Sequence, residues 1–476
     1  MRFSPLPKNI KKSEREVEWD KVPEKFMNKK MVILIAAIAI IVIGIIIGVV
    51  VTRDSNPDVP TVPSTPTEPT QNGEQMGTNP SGNGGNTDTD AKSWANRAWL
   101  GSVDPESVTS IHFVKTANGA SSSQSWKFDG LDCYMVDGAV YVVTGEAHEI
   151  DGSMSGAFAD MVNLETIDGL EHLDTSAVTD MSYMFNNCTK LSTLCVSNLN
   201  TESVVNAEAM FKWCESLKEI DMSEMDMRNA VDMDEIFAYC RGAYEIGLPK
   251  TRDVLYLSRA FECVGRYANN RATINGVWDT SKCQDMSYMF TLASLCNYDY
   301  SFVQDWNTSS LVNAEGMFYQ CNLDCSLDLT RWETKNIKNA AMMFGMSALK
   351  GCNMTGWDMR SLECCDKMFM NCSGLTTLEL GWVNVNDIDS AVRMFDCCIS
   401  LTTLDISCFN GITFGDATEM LSYNDSLVTI YCNGFSATRS TEMFVGCYQL
   451  VGAVPYSSSN VDVNMANLNG YFSEKN

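Results

Sequence analysis

Histidine and positive charge are both scarce in this chain. Only His112, His148 and His172 occur, all ahead of the main run of repeats, which argues against histidine-based catalysis or a histidine-rich metal site there. The chain has 34 Lys and Arg against 60 Asp and Glu, a net charge of -26. Nine of these cations and five of these acids lie in residues 1–30, so the remainder is a polyanion. Such a body repels nucleic acid and anionic membrane surfaces, and we expect no nucleic-acid partner.

Motifs that carry enzyme chemistry are missing as well. No nucleophile with a neighbouring base, phosphate-binding glycine loop or paired-acid motif stands out from the repeat background. We therefore predict that the protein is not an enzyme, with no catalytic residue, no cofactor-binding residue, no metal ligand and no cofactor.

What the sequence does contain is one unit repeated along most of its length. The clearest copy is Met181-Ser-Tyr-Met-Phe-Asn-Asn-Cys188, and its anchor Phe185 returns at steps of 23 to 29 residues. The anchor position is filled by Phe158, Phe185, Phe211, Phe237, Phe261, Phe290, Phe318, Phe344, Phe369, Phe395, Leu421 and Phe444. A period in the twenties is typical of a solenoid, whose short units bury their apolar faces only against each other.

The apolar positions within one unit predict its local structure. Counting from the anchor as position 0, apolar residues at -4, -1, 0 and +3 have the spacing of a helical turn or two. Those at +9 and +11 alternate as in a short strand, and a further apolar column lies at -12. The fold class is therefore α/β, a solenoid of about 12 coils of about 26 residues with a parallel β-sheet over residues 156–455. The copies at Phe261, Phe290 and Phe344 fit worst, so we expect irregular coils there.

The regions around the repeats have their own patterns. Residues 31–52 are long and apolar enough for a transmembrane signal anchor, whereas a cleaved signal peptide has a shorter apolar core. More Lys precede this span than follow it, which predicts a cytoplasmic tail at 1–30 and an extracellular C-terminal body. Residues 53–91, rich in Pro, Thr, Gly and Asn, predict an extracellular linker, with a glycosylated stalk as the alternative. Residues 92–155 predict a small N-terminal β cap, and residues 456–476 form the C-terminal tail.

The repeat resembles that of the BspA-like leucine-rich-repeat surface proteins. Their units read roughly D-T-S-x-V-x-x-M-x-x-M-F-x-x-C-x-x-L-x-x-L-D-L-S-x-W, and Asp174-Thr-Ser-Ala-Val-Thr-Asp-Met-Ser-Tyr-Met-Phe-Asn-Asn-Cys188 follows that line almost letter for letter. Trp278 to Phe290 and Cys372 to Leu380 match other parts of it. The resemblance covers residues 160 to 450 and implies a cell-surface leucine-rich-repeat solenoid that adheres to host or matrix proteins and to other cells.

The 19 cysteines are the sharpest chemical signal in the sequence. Seven occupy position +3, where cysteine acts as a small hydrophobe: Cys188, Cys214, Cys240, Cys321, Cys372, Cys398 and Cys447. A buried column of thiols is the favoured interpretation, with metal binding or redox chemistry as the alternative. Free thiols in this column would suit an anaerobic exterior.

Position +10, which points outward from the predicted strand, collects acidic residues: Asp168, Asp221, Asp328, Glu379 and Asp405. A solvated acidic face is the favoured interpretation, with bridging calcium as the alternative, although no D-x-D-x-D-G loop is present. Outside these columns, Tyr298, Tyr300 and Tyr431 are candidates for exposed aromatic contacts with a partner.

The function that fits these features is a membrane-anchored, single-pass surface protein whose extracellular solenoid binds proteins or mediates adhesion. Its expected partners are extracellular proteins of a host, a matrix or other cells. Two alternatives stay open: a surface receptor or sensor that uses the 30-residue tail, and a surface-coat antigen without a specific ligand.

Overall fold

The fold is known from a computed structural model that describes residues 94–117, 122–266, 271–295 and 300–475. The predicted tail, transmembrane anchor and linker at 1–30, 31–52 and 53–91 lie outside the described residues. Within the described ranges, no helix is long and apolar enough to cross a membrane.

Within the described residues, twenty short strands carry the architecture. They are β1 Ser110–Val114, β2 Gln124–Phe128, β3 Leu131–Val136, β4 Ala139–Val143, β5 His148–Ser153, β6 Thr166–Asp168, β7 Leu173–Asp180, β8 Thr193–Leu194, β9 Glu219–Asp221, β10 Glu245–Gly247, β11 Thr273–Asn275, β12 Ser326–Asp328, β13 Gly351–Asn353, β14 Thr377–Glu379, β15 Ile388–Ser390, β16 Thr403–Asp405, β17 Thr413–Asp416, β18 Thr429–Tyr431, β19 Ser436–Arg439 and β20 Phe472–Ser473. Among these described strands, β2–β3 and β3–β4 pair antiparallel and the other pairs are parallel.

The strand face of the solenoid is a sheet to which each coil contributes at most one short strand, parallel to its neighbours, and β1 to β4 extend this sheet ahead of the first coil. It runs as β2-β3-β4-β1-β6-β8, then β11-β10-β9, then β12-β13-β14-β16-β18-β20. The return leg forms shorter ladders, β5-β7 and β15-β17-β19. The prediction of a parallel-sheet solenoid of about twelve coils is therefore confirmed.

The anchor phenylalanines form the spine of the core. From Phe158 to Phe395, neighbouring rings stack with centroids 5.3 to 6.0 Å apart and ring planes within 24° of parallel. The column at -12 is buried beside them, as predicted: Leu199, Met225, Trp278, Trp306, Trp332, Trp357 and Phe409. Each coil therefore covers the apolar face of the next, as a solenoid requires.

The predicted helical turns are wrong. The segment from -4 to +3 forms tight turns, and the described residues contain no α-helix, only short 3-10 segments. Positions -2 and +2 adopt the left-handed conformation, as at Tyr183 (φ 56°) and Asn187 (φ 60°), which a right-handed helix excludes. The apolar spacing is the same because the turn buries the same positions that a helix would bury.

Backbone bonds between coils explain why the turns are preferred. Phe185 N–H donates to the carbonyl of Met210 in the next coil (2.9 Å), and Asn187 N–H donates in the same way to Lys212 (2.8 Å). The alternate N–H groups close turns inside their own coil, as Cys188 N–H does on the Phe185 carbonyl (3.2 Å). The backbone bonds from positions -4, -2, 0 and +2 to the next coil all run in one direction along the array. Their peptide dipoles therefore add, with carbonyls facing the N-terminal end and N–H groups facing the C-terminal end.

Both ends of this ladder have partners of suitable charge. At the first coil, the Arg97 guanidinium donates to the Ala159 carbonyl (2.6 Å) and the Trp99 indole N–H to the Ala157 carbonyl (2.7 Å). At the last coil, the Asp462 carboxylate accepts the N–H of Glu442 (2.6 Å). A cation thus meets the carbonyl end and an anion meets the N–H end, which is the favourable arrangement.

Two of the three coils predicted to be irregular are irregular. In the Phe261 coil the strand begins twelve residues after the anchor, and in the Phe290 coil residues 301–305 are a 3-10 segment, so the strand face is interrupted between β11 and β12. The prediction for the Phe344 coil is wrong, because β13 pairs with β12 and β14 on either side.

Candidate binding surfaces

The cysteine column at +3 lies inside the solenoid, and six of its seven thiols donate a hydrogen bond to the preceding coil. All seven cysteines are buried, and none of them forms a disulfide. Cys188, Cys214 and Cys240 each point their Sγ at the carbonyl of the anchor in the preceding coil, at 3.0, 3.2 and 3.1 Å. The same bond recurs at Cys372, Cys398 and Cys447.

The protonation state of these thiols suits the role of a donor. Burial raises the pKa of the Cys188 thiol to about 12, so at neutral pH it keeps the proton that it donates. Two other polar residues stand in the column: Asn424 donates its side-chain amide to the Phe395 carbonyl (2.9 Å), and Ser347 contacts Cys372. The sequence analysis correctly predicted that these cysteines are buried. It did not predict that their thiols donate hydrogen bonds to the preceding coil.

A second buried polar column, at position -10, escaped the sequence analysis. Its threonines donate their hydroxyl to a backbone carbonyl of the following coil at 2.9 to 3.1 Å: Thr175, Thr201, Thr280, Thr308 and Thr334. All five are at most 1% exposed. The Asp-Thr-Ser segment of the repeat was the available signal, since a threonine recurring at one position among apolar columns indicates a structural hydroxyl.

The acidic residues at +10 stand on the strand face, as predicted, and several of them have a structural role. The carboxylates of Asp221, Asp328 and Asp405 accept the N–H two residues further on, at 2.9 to 3.2 Å, and so close the corner after the strand. Hydrogen bonds from Ser223 lower the pKa of Asp221. Among the described residues, no group of three or more His, Cys, Asp and Glu side chains is placed to hold a metal ion.

On the turn face, the coils of Phe211 to Phe261 carry side chains that bind each other. The rings of Trp213 and Tyr239 stack 4.0 Å apart at 7°, and the Arg241 guanidinium lies 4.7 and 5.1 Å from their centroids. Arg241 also bonds to Glu215 (2.5 Å), and the Tyr239 hydroxyl donates to Glu262 (2.7 Å). These aromatic and charged side chains link neighbouring coils. Because they contact each other, they are less available to a partner molecule.

The tyrosines proposed as exposed contacts are placed differently. Tyr300 is 1% exposed and its hydroxyl donates to the Ala293 carbonyl (3.4 Å), so the prediction for this residue is wrong. It fills the interior of the coil in which the regular strand is interrupted, a location that periodicity does not reveal. Tyr431 is half-buried in β18, and Tyr298 lies outside the described residues.

Comparisons with known proteins find one repeat family and two solved leucine-rich proteins that are similar to this chain. A family model described as "Mycoplasma protein of unknown function, DUF285" matches residues 152–264, 255–378 and 346–452. No curated protein matches the chain. A solved leucine-rich repeat protein from Bacteroides ovatus ATCC 8483 is 15% identical, covering 72% of this chain and 85% of that one, with a TM-score of 0.40. A leucine rich cell surface protein from Faecalibacterium prausnitzii A2-165 is 14% identical, covering 69% and 87%, with a TM-score of 0.28. The predicted resemblance to BspA-like leucine-rich-repeat surface proteins is confirmed.

Proposed function

Since the chain belongs to the DUF285 repeat family, we propose that it acts at the cell surface as a protein-binding solenoid that mediates adhesion. The proposal assigns it no catalytic role. Its partners are extracellular proteins of a host, a matrix or neighbouring cells.

The observation that carries this proposal is the division of each coil into an inward and an outward set of positions. The repeated residues, such as Met184, Phe185 and Cys188, are fully buried. Outward positions between them differ from coil to coil: position +4, for example, holds Glu215, Arg241, Ile399, Asp425 and Tyr448 in different coils. In a rigid array of this kind, the repeated residues are buried and the exposed residues vary from coil to coil. Solenoids of this design recognise proteins along an extended surface.

We further propose that residues 31–52 anchor the chain in the cell membrane with residues 1–30 in the cytoplasm. The support is the length of the uncharged run and the excess of lysine ahead of it. Residues 53–91 then act as the linker to the solenoid. Protease added to intact cells should remove the solenoid and leave residues 1–30 attached to the membrane fraction. Protection of the solenoid in intact cells would refute this orientation.

The binding proposal is tested with the full-length chain displayed on a cell that lacks it. We expect displaying cells to bind at least one member of a panel of immobilised extracellular-matrix proteins and host cell layers, saturably and in competition with soluble chain. The matched control displays the chain with Phe318→Ser, which disrupts the ring stack while leaving the composition of the surface nearly unchanged. Absence of saturable binding across the whole panel would contradict the proposal.

A further inference from the structure

Large apolar side chains are exposed together on the last three coils of the array. Their exposed fractions are 46% for Ile399, 47% for Tyr423, 41% for Val428, 66% for Tyr448 and 54% for Val451. We call these five residues the C-terminal patch. Single exposed apolar residues are ordinary on a protein surface, whereas a group on one face marks an interaction site.

The five side chains are close together because they occupy equivalent positions of stacked coils. Val428 and Val451 both lie at +7, and Val451 N–H donates to the Val428 carbonyl (2.9 Å). Ile399 and Tyr448 both lie at +4, separated by one coil, and Tyr423 lies at +2 of that intervening coil. Positions +2, +4 and +7 face outward, since +3 and +6 point into the core. The patch therefore follows one edge of the solenoid.

The fold itself does not demand apolar residues at these positions. In earlier coils, position +4 holds Glu215 and Arg241, which bond to each other, and position +2 holds Trp213 and Tyr239, which stack. Outward side chains there have partners within the chain. At the C-terminal patch, the apolar side chains reach solvent: Tyr448 meets the ring of Tyr456 edge-on (5.7 Å between centroids) and still leaves most of its own surface available to another molecule.

The charge around the patch restricts the kind of molecule that fits. Residues 393–475 contain eight Asp and Glu but only three Lys or Arg. Arg393 is paired with Glu419 (2.7 Å) and Lys475 with Asp405 (2.5 Å). Arg439 is bound to Asp416 (3.2 Å), on the return leg. The exposed Asp425 occupies the +4 position between Ile399 and Tyr448, inside the patch. The apolar surface is thus set in an anionic one.

Building on the proposed protein-binding function, we propose that the C-terminal patch docks a protein segment with apolar side chains flanked by lysine or arginine. The apolar residues of such a segment cover the patch, and its cations meet Asp425 and the neighbouring carboxylates. A second copy of this chain is disfavoured as the occupant, because pairing two patches about a twofold axis brings like-charged surfaces together.

The test uses the full-length chain and synthetic peptides of known composition. The probe contains only leucine and lysine; in one counterpart glutamate replaces lysine, and in the other serine replaces leucine. We expect saturable binding of the leucine–lysine peptide and at least tenfold weaker binding of both counterparts. The variant Y448S/V451S should lose at least tenfold in affinity, and D425K should also weaken binding. The matched control is V205S/Y256S, which removes one exposed valine and one exposed tyrosine (45% and 40%) on the return leg and should stay within twofold of the wild type.

Each other result contradicts the proposal. Equal binding by wild type and Y448S/V451S, with thermal unfolding unchanged, would remove the patch as the site. Binding of the serine–lysine peptide as tight as that of the leucine–lysine peptide would show attraction by charge alone. Sedimentation showing a wild-type dimer that Y448S/V451S abolishes would make a second copy the occupant. Binding to the matrix panel that survives Y448S/V451S would overturn the patch while leaving the proposed function standing.

Discussion

Replacing Cys214 by serine and by alanine separates two accounts of the cysteine column. Cys214 is fully buried, and its thiol donates to the Phe185 carbonyl at 3.2 Å. If the column needs a donor, serine should be the better replacement, because its hydroxyl supplies the same hydrogen bond. If the column needs only a small apolar group, alanine should be better, because burying a hydroxyl costs more than burying a methyl group.

The structure sets the size of the expected difference. Cys214→Ala loses one hydrogen bond, about 1 kcal/mol, and leaves a gap of one sulfur atom, roughly 1 kcal/mol more. The Phe185 carbonyl is not orphaned, because it still accepts the N–H of Cys188 (3.2 Å), which limits the penalty. Cys214→Ser keeps the donor and loses part of the volume, so we expect a cost of about 1 kcal/mol. Alanine should therefore be the more destabilising by about 1 kcal/mol.

The assay is urea unfolding under reducing conditions, followed by tryptophan fluorescence and far-UV circular dichroism. Cys240→Ser and Cys240→Ala, one coil further on, provide a second pair in the same geometry (3.1 Å to the Phe211 carbonyl). An alanine variant as stable as the serine variant, or more stable, at both positions would refute the role of the thiols as donors.

Three further predictions concern Thr308, Asp234 and Arg97. Thr308→Val should lower the free energy of unfolding by about 1 kcal/mol, because valine loses the hydrogen bond to the Glu333 carbonyl (3.1 Å). Thr308→Ser keeps this bond and should lower the free energy of unfolding less. Equal losses for the two variants in urea unfolding would contradict this. Burial and the neighbouring Asp232 raise the pKa of Asp234 to about 7. Between about pH 4 and pH 7 the folded chain therefore binds a proton that the unfolded chain has released. Stability should fall as the pH rises through this range. Asp234→Asn should reduce that fall, and an unchanged pH profile of the melting temperature would contradict the assignment. Arg97→Leu should speed amide hydrogen exchange in the first coil, because the guanidinium donates to the Ala159 carbonyl there, and should leave exchange in the last coil unchanged. A uniform change of exchange along the array would contradict this prediction.

The period and phase of the repeat were sufficient to predict the solenoid, because each coil buries the same positions. Phe185 and Cys188 are buried where the sequence places them, and the acidic residues at +10 face outward. The type of turn was not predictable from apolar spacing, since a helical turn and the observed left-handed turns bury the same residues. The choice between them depends on backbone bonds to the next coil, which a single unit does not contain.

Polar side chains with structural roles were the other limit of the sequence analysis. Asp221 was interpreted as part of a solvated acidic face, yet its carboxylate closes a corner of the coil. The sequence analysis gave no role to Thr308, whose buried hydroxyl donates to the next coil. Tyr300 was misplaced because the strand face is interrupted there and the repeat phase no longer applies. The C-terminal patch was missed because Ile399 and Tyr448 belong to no column, and their exposure follows from the stacking of three consecutive coils.

The central claim is that recognition belongs to the variable outward positions and stability to the repeated inward ones. The most direct test compares cells that display the wild-type chain, Y448S/V451S or V205S/Y256S. For each, we measure binding to the matrix proteins and host cell layers of the panel. The unfolding of each purified chain is measured in parallel. We expect saturable binding by the wild type, loss of binding in Y448S/V451S with unchanged unfolding, and full binding by V205S/Y256S. The claim would be contradicted if the wild type bound nothing in the panel, or if binding fell only in variants that also unfold more easily.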